Sequence, residues 1–159
     1  SEDREGDTYE FRSSMSSGLC INWAHAGDGP ANPQQKFPAD FPFDWCKKTL
    51  DQYLTLRHFY YGDYYTLTPY TQAQNAWMAW QFDGPDAGTG MVQAFRRQDC
   101  TTEALQVKLL GLDAKATYVL SNVDMPGTTE VSGQALMQDG LRITIPTHPG
   151  AAVITYQKK

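Results

Sequence analysis

The chain has 159 residues, of which 41% are hydrophobic, 13% aromatic and 19% charged, and its formal net charge is −5. This composition excludes a disordered chain, and the lack of any basic run beyond Lys158-Lys159 argues against nucleic-acid binding. No apolar stretch approaches the roughly 18 residues that a membrane-spanning helix needs. A complete (β/α)8 barrel takes about 250 residues, so a barrel enzyme is present here only in part.

The three cysteines, Cys20, Cys46 and Cys100, are odd in number and widely spaced. They predict neither a disulfide framework nor a zinc site, and we expect free buried thiols. No cofactor is predicted. The chain starts at Ser1 without a signal-peptide pattern, which fits a processed or excised piece and leaves the compartment undetermined, with a secreted or periplasmic bacterial location compatible.

The first 62 residues predict a strand, a loop and a helix. Leu19–Trp23 is a short apolar run between loop signals, typical of a buried strand, and a proline-rich loop follows from Ala24 to Pro42. Asp40 is expected to cap the helix, and apolar residues recur on one helical face until Gly62 ends the pattern.

After Gly62 the apolar period changes from 3.6 to 2, which indicates β-strands. Turn residues separate the strands, as at Asp83-Gly84-Pro85 and Met125-Pro126-Gly127. We therefore predict a mainly β fold: an antiparallel β-sandwich of Greek-key type over 63–159, preceded by an α/β-like segment over 1–62 that carries one long helix. The predicted strands are Tyr64–Leu67, Ala76–Phe82, Met91–Arg96, Leu105–Leu109, Thr117–Ser121, Leu141–Ile145 and Ala152–Gln157.

Four ordered motifs carry a family resemblance: Tyr61–Tyr70 (YGDYYTLTPY), Asn75–Trp80 (NAWMAW), Leu109–Tyr118 (LLGLDAKATY) and Ser132–Leu141 (SGQALMQDGL). In this order they resemble the C-terminal region of α-galactosidase-like glycoside hydrolases, the melibiase group. The resemblance implies a retaining enzyme with two catalytic aspartates on earlier barrel strands. Neither aspartate motif occurs in this sequence, so no residue here inherits a catalytic role and enzymatic activity of this chain stays open.

The resemblance also implies that 1–62 is the end of a (β/α)8 barrel. Tyr9–Met15 and Gly18-Leu19 then resemble the approach to the last barrel strand, and the helix after Pro42 resembles the last barrel helix. Residues just past a barrel strand face the active site, so Trp23, His25 and Asp28 become candidate sugar contacts. The alternative, which we favour, is an ordinary loop with a core tryptophan and a solvated histidine and aspartate. The spacing of Cys20, His25 and Asp28 fits no zinc pattern.

The later aromatic residues are a second set of candidates for sugar binding, since each ring offers an apolar face and a polar tip. The alternative is core packing. Trp77 and Trp80 have opposite parity in their strand, so we expect one in the sandwich core and the other under the helix or barrel. The candidate carbohydrate-binding residues of this set are Tyr64, Tyr65, Tyr70, Trp77 and Trp80, beside Tyr60 and Tyr61 in the same aromatic group. The acidic stretch Asp83-Gly84-Pro85-Asp86 is expected to be a turn and not a calcium site, so no metal is predicted.

Three possible functions follow. The first is a non-catalytic module that packs against the catalytic barrel of a parent enzyme and completes it; exposed apolar surface of such a piece predicts self-association. The second is a free-standing module that binds a galactoside or a plant polysaccharide through an aromatic platform. A third, a small hydrolase using its own acids Glu10, Asp28, Asp40 or Asp63, ranks last because no spacing selects a pair. Neither nucleic acid nor membrane is an expected partner.

Overall fold

The structure is a computed structural model that describes residues 7–20 and 41–159. It contains an antiparallel sandwich built from a six-stranded and a two-stranded sheet, with the first two helices on the outer face of the larger sheet. The helices are α1 (Thr8–Ser14), α2 (Phe43–Leu56) and α3 (Gly133–Gln138), with a 3₁₀ turn at Arg57–Tyr61. The strands are β1 (Asp63–Thr66), β2 (Trp77–Gly84), β3 (Thr89–Arg96), β4 (Ala104–Val107), β5 (Thr117–Asn122), β6 (Thr129–Ser132), β7 (Leu141–Thr144) and β8 (Gly150–Lys158).

The larger sheet has the strand order β1-β2-β3-β8-β5-β6, and β4 pairs with β7 in the smaller one. Every pairing is antiparallel, which confirms the predicted fold class. The turn predicted at Asp83-Gly84-Pro85 joins β2 to β3, and Gly88 in that turn has φ +62°, a left-handed value that favours glycine. β8 lies in the middle of the sheet between β3 and β5, although it is the last strand in the sequence.

The main core fills the space between the two sheets. Alternate residues of the central strands point into it, such as Val92 of β3 and Tyr156 of β8, because side chains of a strand alternate between faces. Val107 and Ile143 contribute from the smaller sheet, and Leu136 of α3 is fully buried against them.

A second core lies on the other face of the larger sheet, beneath the first two helices. Phe11 and Met15 come from the α1 region, Leu56 from α2, and Met91 and Val153 from the sheet. The helix predicted after Pro42 is confirmed as α2.

The stretch expected to approach a barrel strand is a helix, α1. Asp7 caps it, because its Oδ1 accepts a hydrogen bond of 3.0 Å from the backbone N–H of Glu10. Of the predicted strand Leu19–Trp23, only Leu19 and Cys20 lie within the described residues, and neither is in a strand. The predicted cap Asp40 lies outside the described residues, and Pro42 occupies the position before α2 without a side-chain cap.

Arg12 of α1 joins the helices to the sheet. Its guanidinium is almost fully buried and donates to Gln52 of α2, to the backbone carbonyl of Ala151 in β8, and twice to the carboxylate of Asp124, which follows β5. One side chain thus links four parts of the fold. Within the described residues, no helix is both long and apolar enough to cross a membrane.

Candidate functional site

The two tryptophans of β2 lie on opposite faces of the larger sheet, as their parity predicts. Trp77 is 8% exposed, belongs to the core between the sheets, and donates from Nε1 to the carbonyl of Thr102 at 2.9 Å. Trp80 faces the helix side, where its Nε1 donates to Gln93 Oε1 at 2.8 Å and its ring packs against Phe95 with centroids 4.9 Å apart. Trp77 is therefore a core residue and leaves the set of candidate sugar contacts.

The candidate tyrosines do not share one surface either. Tyr64 pairs with Phe82 across β1 and β2, so it lies on the same face as Trp80. Tyr65 pairs with Gln81 and lies on the opposite face. Tyr70 lies beyond β1, is 80% exposed, and accepts a hydrogen bond from Gln72 beside it. The aromatic platform predicted from the sequence is thus reduced to Tyr64 and Trp80.

These two residues border a pocket of about 340 Å³ between the sheet and the turn after α1. Phe82 is central to its aromatic wall, because its ring centroid lies 4.9 Å from that of Tyr60 and 5.3 Å from that of Tyr64. The lining residues are Met15, Ser16, Ser17, Tyr60, Tyr64, Trp80 and Phe82. We call this the aromatic pocket. Phe82 was not among the residues predicted from the sequence, although its shared parity with Trp80 was a usable signal.

Over residues 7–20 and 41–159, no charged side chain lines the aromatic pocket. Burial raises the pKa of Tyr60 to about 12, with Gln93 beside it acting in the opposite direction, so its hydroxyl is neutral across the physiological range. Tyr60 Oη and Gln93 Nε2 are also the two buried side-chain atoms that lack a hydrogen-bond partner in the described part of the chain. The two groups are neighbours whose atoms do not meet with hydrogen-bond geometry.

A second pocket, of about 310 Å³, lies beside the start of α1 and is lined mainly by polar residues. Its carboxylates come from Asp7, which caps α1, and from Glu10. The other lining residues are Tyr9, Ser13, Gln74, Gln98 and Pro149.

Several carboxylates of the sandwich form ion pairs or buried hydrogen bonds. Asp113 pairs with Lys158 and Glu130 with Lys159. Asp83 is 3% exposed and accepts a 2.6 Å hydrogen bond from the Tyr156 hydroxyl, and desolvation raises the pKa of this carboxyl.

Asp63 is paired directly with Asp83 across β1 and β2, and it adds to the upward shift of the Asp83 pKa through charge repulsion. Neither carboxylate lines one of the two pockets described above. Over residues 7–20 and 41–159, no group of three or more His, Cys, Asp and Glu side chains is placed to hold a metal ion.

The remaining candidates are Trp23, His25 and Asp28, which lie outside the described residues, so their proposed sugar contacts stay a prediction. All three cysteines are free; Cys46 and Cys100 are buried as expected, whereas Cys20 is exposed.

Comparison with known proteins decides the family. Residues 77–155 match the sequence model of the glycosyl hydrolase family 36 C-terminal domain. This chain carries a family 36 C-terminal domain. The resemblance drawn from the four sequence motifs is thereby confirmed. Among curated proteins, no sequence matches the chain significantly.

Solved structures show the same fold. The chain is similar to part of the α-galactosidase AgaA from Geobacillus stearothermophilus, with 19% identity and a TM-score of 0.60 over 73% of this chain and 16% of that one. The α-galactosidase from Lactobacillus brevis gives 15% identity and a TM-score of 0.57 over 74% and 17%. The galactosidase domain of the α-galactosidase-sucrose kinase AgaSK gives 20% and 0.54 over 73% and 15%. The chain therefore spans about a sixth of the length of these structures.

Proposed function

We propose that this chain is a non-catalytic C-terminal module of a retaining α-galactosidase-like glycoside hydrolase, packing against its catalytic barrel and completing it. The family 36 match over 77–155 is the observation that carries the proposal. Four carboxylates of the sandwich support it, because Asp83 is buried and bonded to Tyr156, and Asp113, Asp124 and Glu130 are engaged in ion pairs. Retaining glycosidases instead need two carboxylates that face a shared substrate.

In this proposal, 1–62 is the end of the barrel and 63–159 is the sandwich. The packing of the helices supports it: α2 places Leu56 and Tyr53 in the second core, on the outer face of the larger sheet. Arg12 adds a buried polar link between the same two layers. Such contacts let the module hold a final barrel helix in place while the other sandwich face stays sealed by the smaller sheet.

Activity and association measured separately test this proposal. The purified chain is expected to give no turnover of p-nitrophenyl α-galactoside above a buffer blank. A catalytic region with two aspartate motifs is expected in the reading frame upstream, and that region, produced separately, is expected to bind this chain and gain activity from it. Robust turnover by the chain alone, or an upstream frame without a barrel, contradicts the proposal.

A free-standing carbohydrate-binding module is the second candidate, and exposed aromatic rings favour it. Tyr61 and Tyr70 are 81% and 80% exposed, and Tyr64 is more than half exposed. Polysaccharide pull-down and light scattering separate the two candidates. A free-standing module is retained on an insoluble glycan and is monodisperse, whereas a barrel-packing piece is not retained and self-associates.

A further inference from the structure

The aromatic pocket has the size of a site for one small ligand. Its volume of about 340 Å³ lies at the lower end of the range of about 300–1,000 Å³ found for ligand pockets. Three of its lining rings are in contact through Phe82, and Trp80, Met15 and two serines complete the described lining.

The chemistry of the lining selects a neutral ligand that carries hydroxyl groups. None of the described residues that border the pocket is charged, so among them an ionic ligand would lose its hydration without gaining a counter-charge. Hydroxyl groups are available on the same walls. Those of Tyr64 and Ser17 have no hydrogen-bond partner in the described part of the chain, and both can donate and accept.

The largest ring of the pocket is held in a fixed position. Trp80 donates to Gln93 and packs on Phe95, so its exposed surface is ordered before any ligand arrives. A fixed ring contributes contact area with little loss of side-chain entropy on binding. Tyr60 also borders the pocket, and its buried hydroxyl has no hydrogen-bond partner in the described part of the chain.

We propose that the aromatic pocket binds a single neutral hexopyranose without cleaving it, with an apolar C–H face of the sugar against Trp80 and Tyr64. A sugar ring combines one such face with a rim of hydroxyls, and this matches aromatic walls with hydroxyls at their edges. The inference rests on the proposed function only in placing the chain within a carbohydrate-active enzyme. It does not require that the chain bind a barrel.

The test is a titration of the intact chain with methyl α-D-galactopyranoside and with methyl α-D-glucopyranoside. Nuclear magnetic resonance records the indole N–H signals of the tryptophans at each step. We expect the Trp80 signal to shift and saturate with a millimolar dissociation constant for one of these sugars. Trp77, on the opposite face of the same strand, is the internal control and should stay in place. D-glucuronate, whose carboxylate finds no cation among the described lining residues, should bind more weakly.

A pair of tyrosine variants tests whether the sugar binds in the aromatic pocket. Tyr64→Ala removes a pocket ring and should weaken binding about 2- to 10-fold, whereas Tyr70→Ala removes an exposed tyrosine outside the pocket lining and should leave binding unchanged. If Tyr64→Ala does not fold, Tyr64→Phe keeps the ring and the wild-type titration still decides. No saturable Trp80 shift with either glycoside up to about 100 mM, equal shifts of Trp77, or equal losses in the two alanine variants overturn the inference. None of these outcomes depends on whether the chain binds a barrel. The sugar-binding inference can therefore fail while the proposed function stands, and the proposed function can fail while the inference stands.

Discussion

The Asp124→Ala variant tests how firmly the N-terminal helices are fixed to the sandwich. Asp124 accepts two hydrogen bonds from Arg12, at 2.6 and 2.7 Å, while Arg12 itself is 3% exposed. After the substitution Arg12 keeps Gln52 and the carbonyl of Ala151 as partners. Its charge then stays buried without a counter-charge, and this is the source of the expected loss in stability.

The magnitude follows from the unequal burial of the pair. Removing one partner of a fully buried ion pair costs about 3–5 kcal/mol. The Asp124 side chain is 45% exposed, so water can reach the site, and we expect the free energy of unfolding to fall by about 2 kcal/mol. For a chain of this length, that lowers the melting temperature by about 4–8 °C. Arg12→Met should cost less, about 1 kcal/mol, because it removes the buried charge itself and lets Asp124 hydrate.

Urea unfolding followed by tryptophan fluorescence measures the two single variants and the double variant. We expect Asp124→Ala to be the most destabilised of the three, with the double variant close to Arg12→Met. Hydrogen exchange of the α1 amides should speed up in Asp124→Ala, because α1 carries Arg12. If Arg12→Met is the less stable single variant, or if the two effects add, an unpaired buried charge is not the source of the loss.

Three further outcomes follow from the packing. Leu136→Ala, at a fully buried position of α3, should lower the free energy of unfolding by about 3–4 kcal/mol in urea unfolding, and a loss below about 1 kcal/mol would contradict its place in the core. Gly133→Ala should lower the free energy of unfolding by about 3 kcal/mol, because its Cβ would lie 2.0 Å from a backbone oxygen. Gly18→Ala serves as the matched control, since no described atom lies within 4 Å of the Cβ that it would add. Equal melting temperatures of the two variants would contradict the packing around Gly133. The pKa of Asp83 is raised on folding. Its contribution to stability is therefore present below the unfolded pKa of about 3.9 and is lost as pH rises through the folded pKa. Asp83→Asn should flatten this decline of the unfolding free energy with pH, and parallel pH profiles of variant and wild type would refute the role of Asp83.

The strands were predictable wherever side chains alternate between a buried and an exposed face. β7 shows this clearly, since Ile143 is buried and its neighbours Arg142 and Thr144 are exposed. β6 escaped prediction because Thr129–Ser132 is a polar edge strand that presents little apolar surface. α3 also escaped, because six residues do not complete two helical turns and so show no helical period.

Only part of the aromatic pocket could be predicted from the sequence, because some of its residues are brought together by contacts between distant segments. Parity within β2 is a local property, and it correctly separates Trp77 from Trp80. Whether Tyr64 joins Trp80 depends on the register between β1 and β2, which is set across the connection of residues 67–76 and not by any local pattern. The contribution of Met15 depends on how α1 docks, and α1 itself was not predicted.

The central position of β8 has a consequence for how the sandwich assembles. As the chain is synthesised, β1–β3 and β5–β6 emerge first, yet they have no hydrogen bonds with each other until residues 150–158 arrive between them. Until then β3 and β5 each present an open row of backbone donors and acceptors, the kind of edge at which chains pair wrongly. The closing step joins residues far apart in sequence, which makes it slow. A chain shortened before Gly150 should therefore leave two unjoined half-sheets and aggregate, rather than form a slightly smaller sandwich.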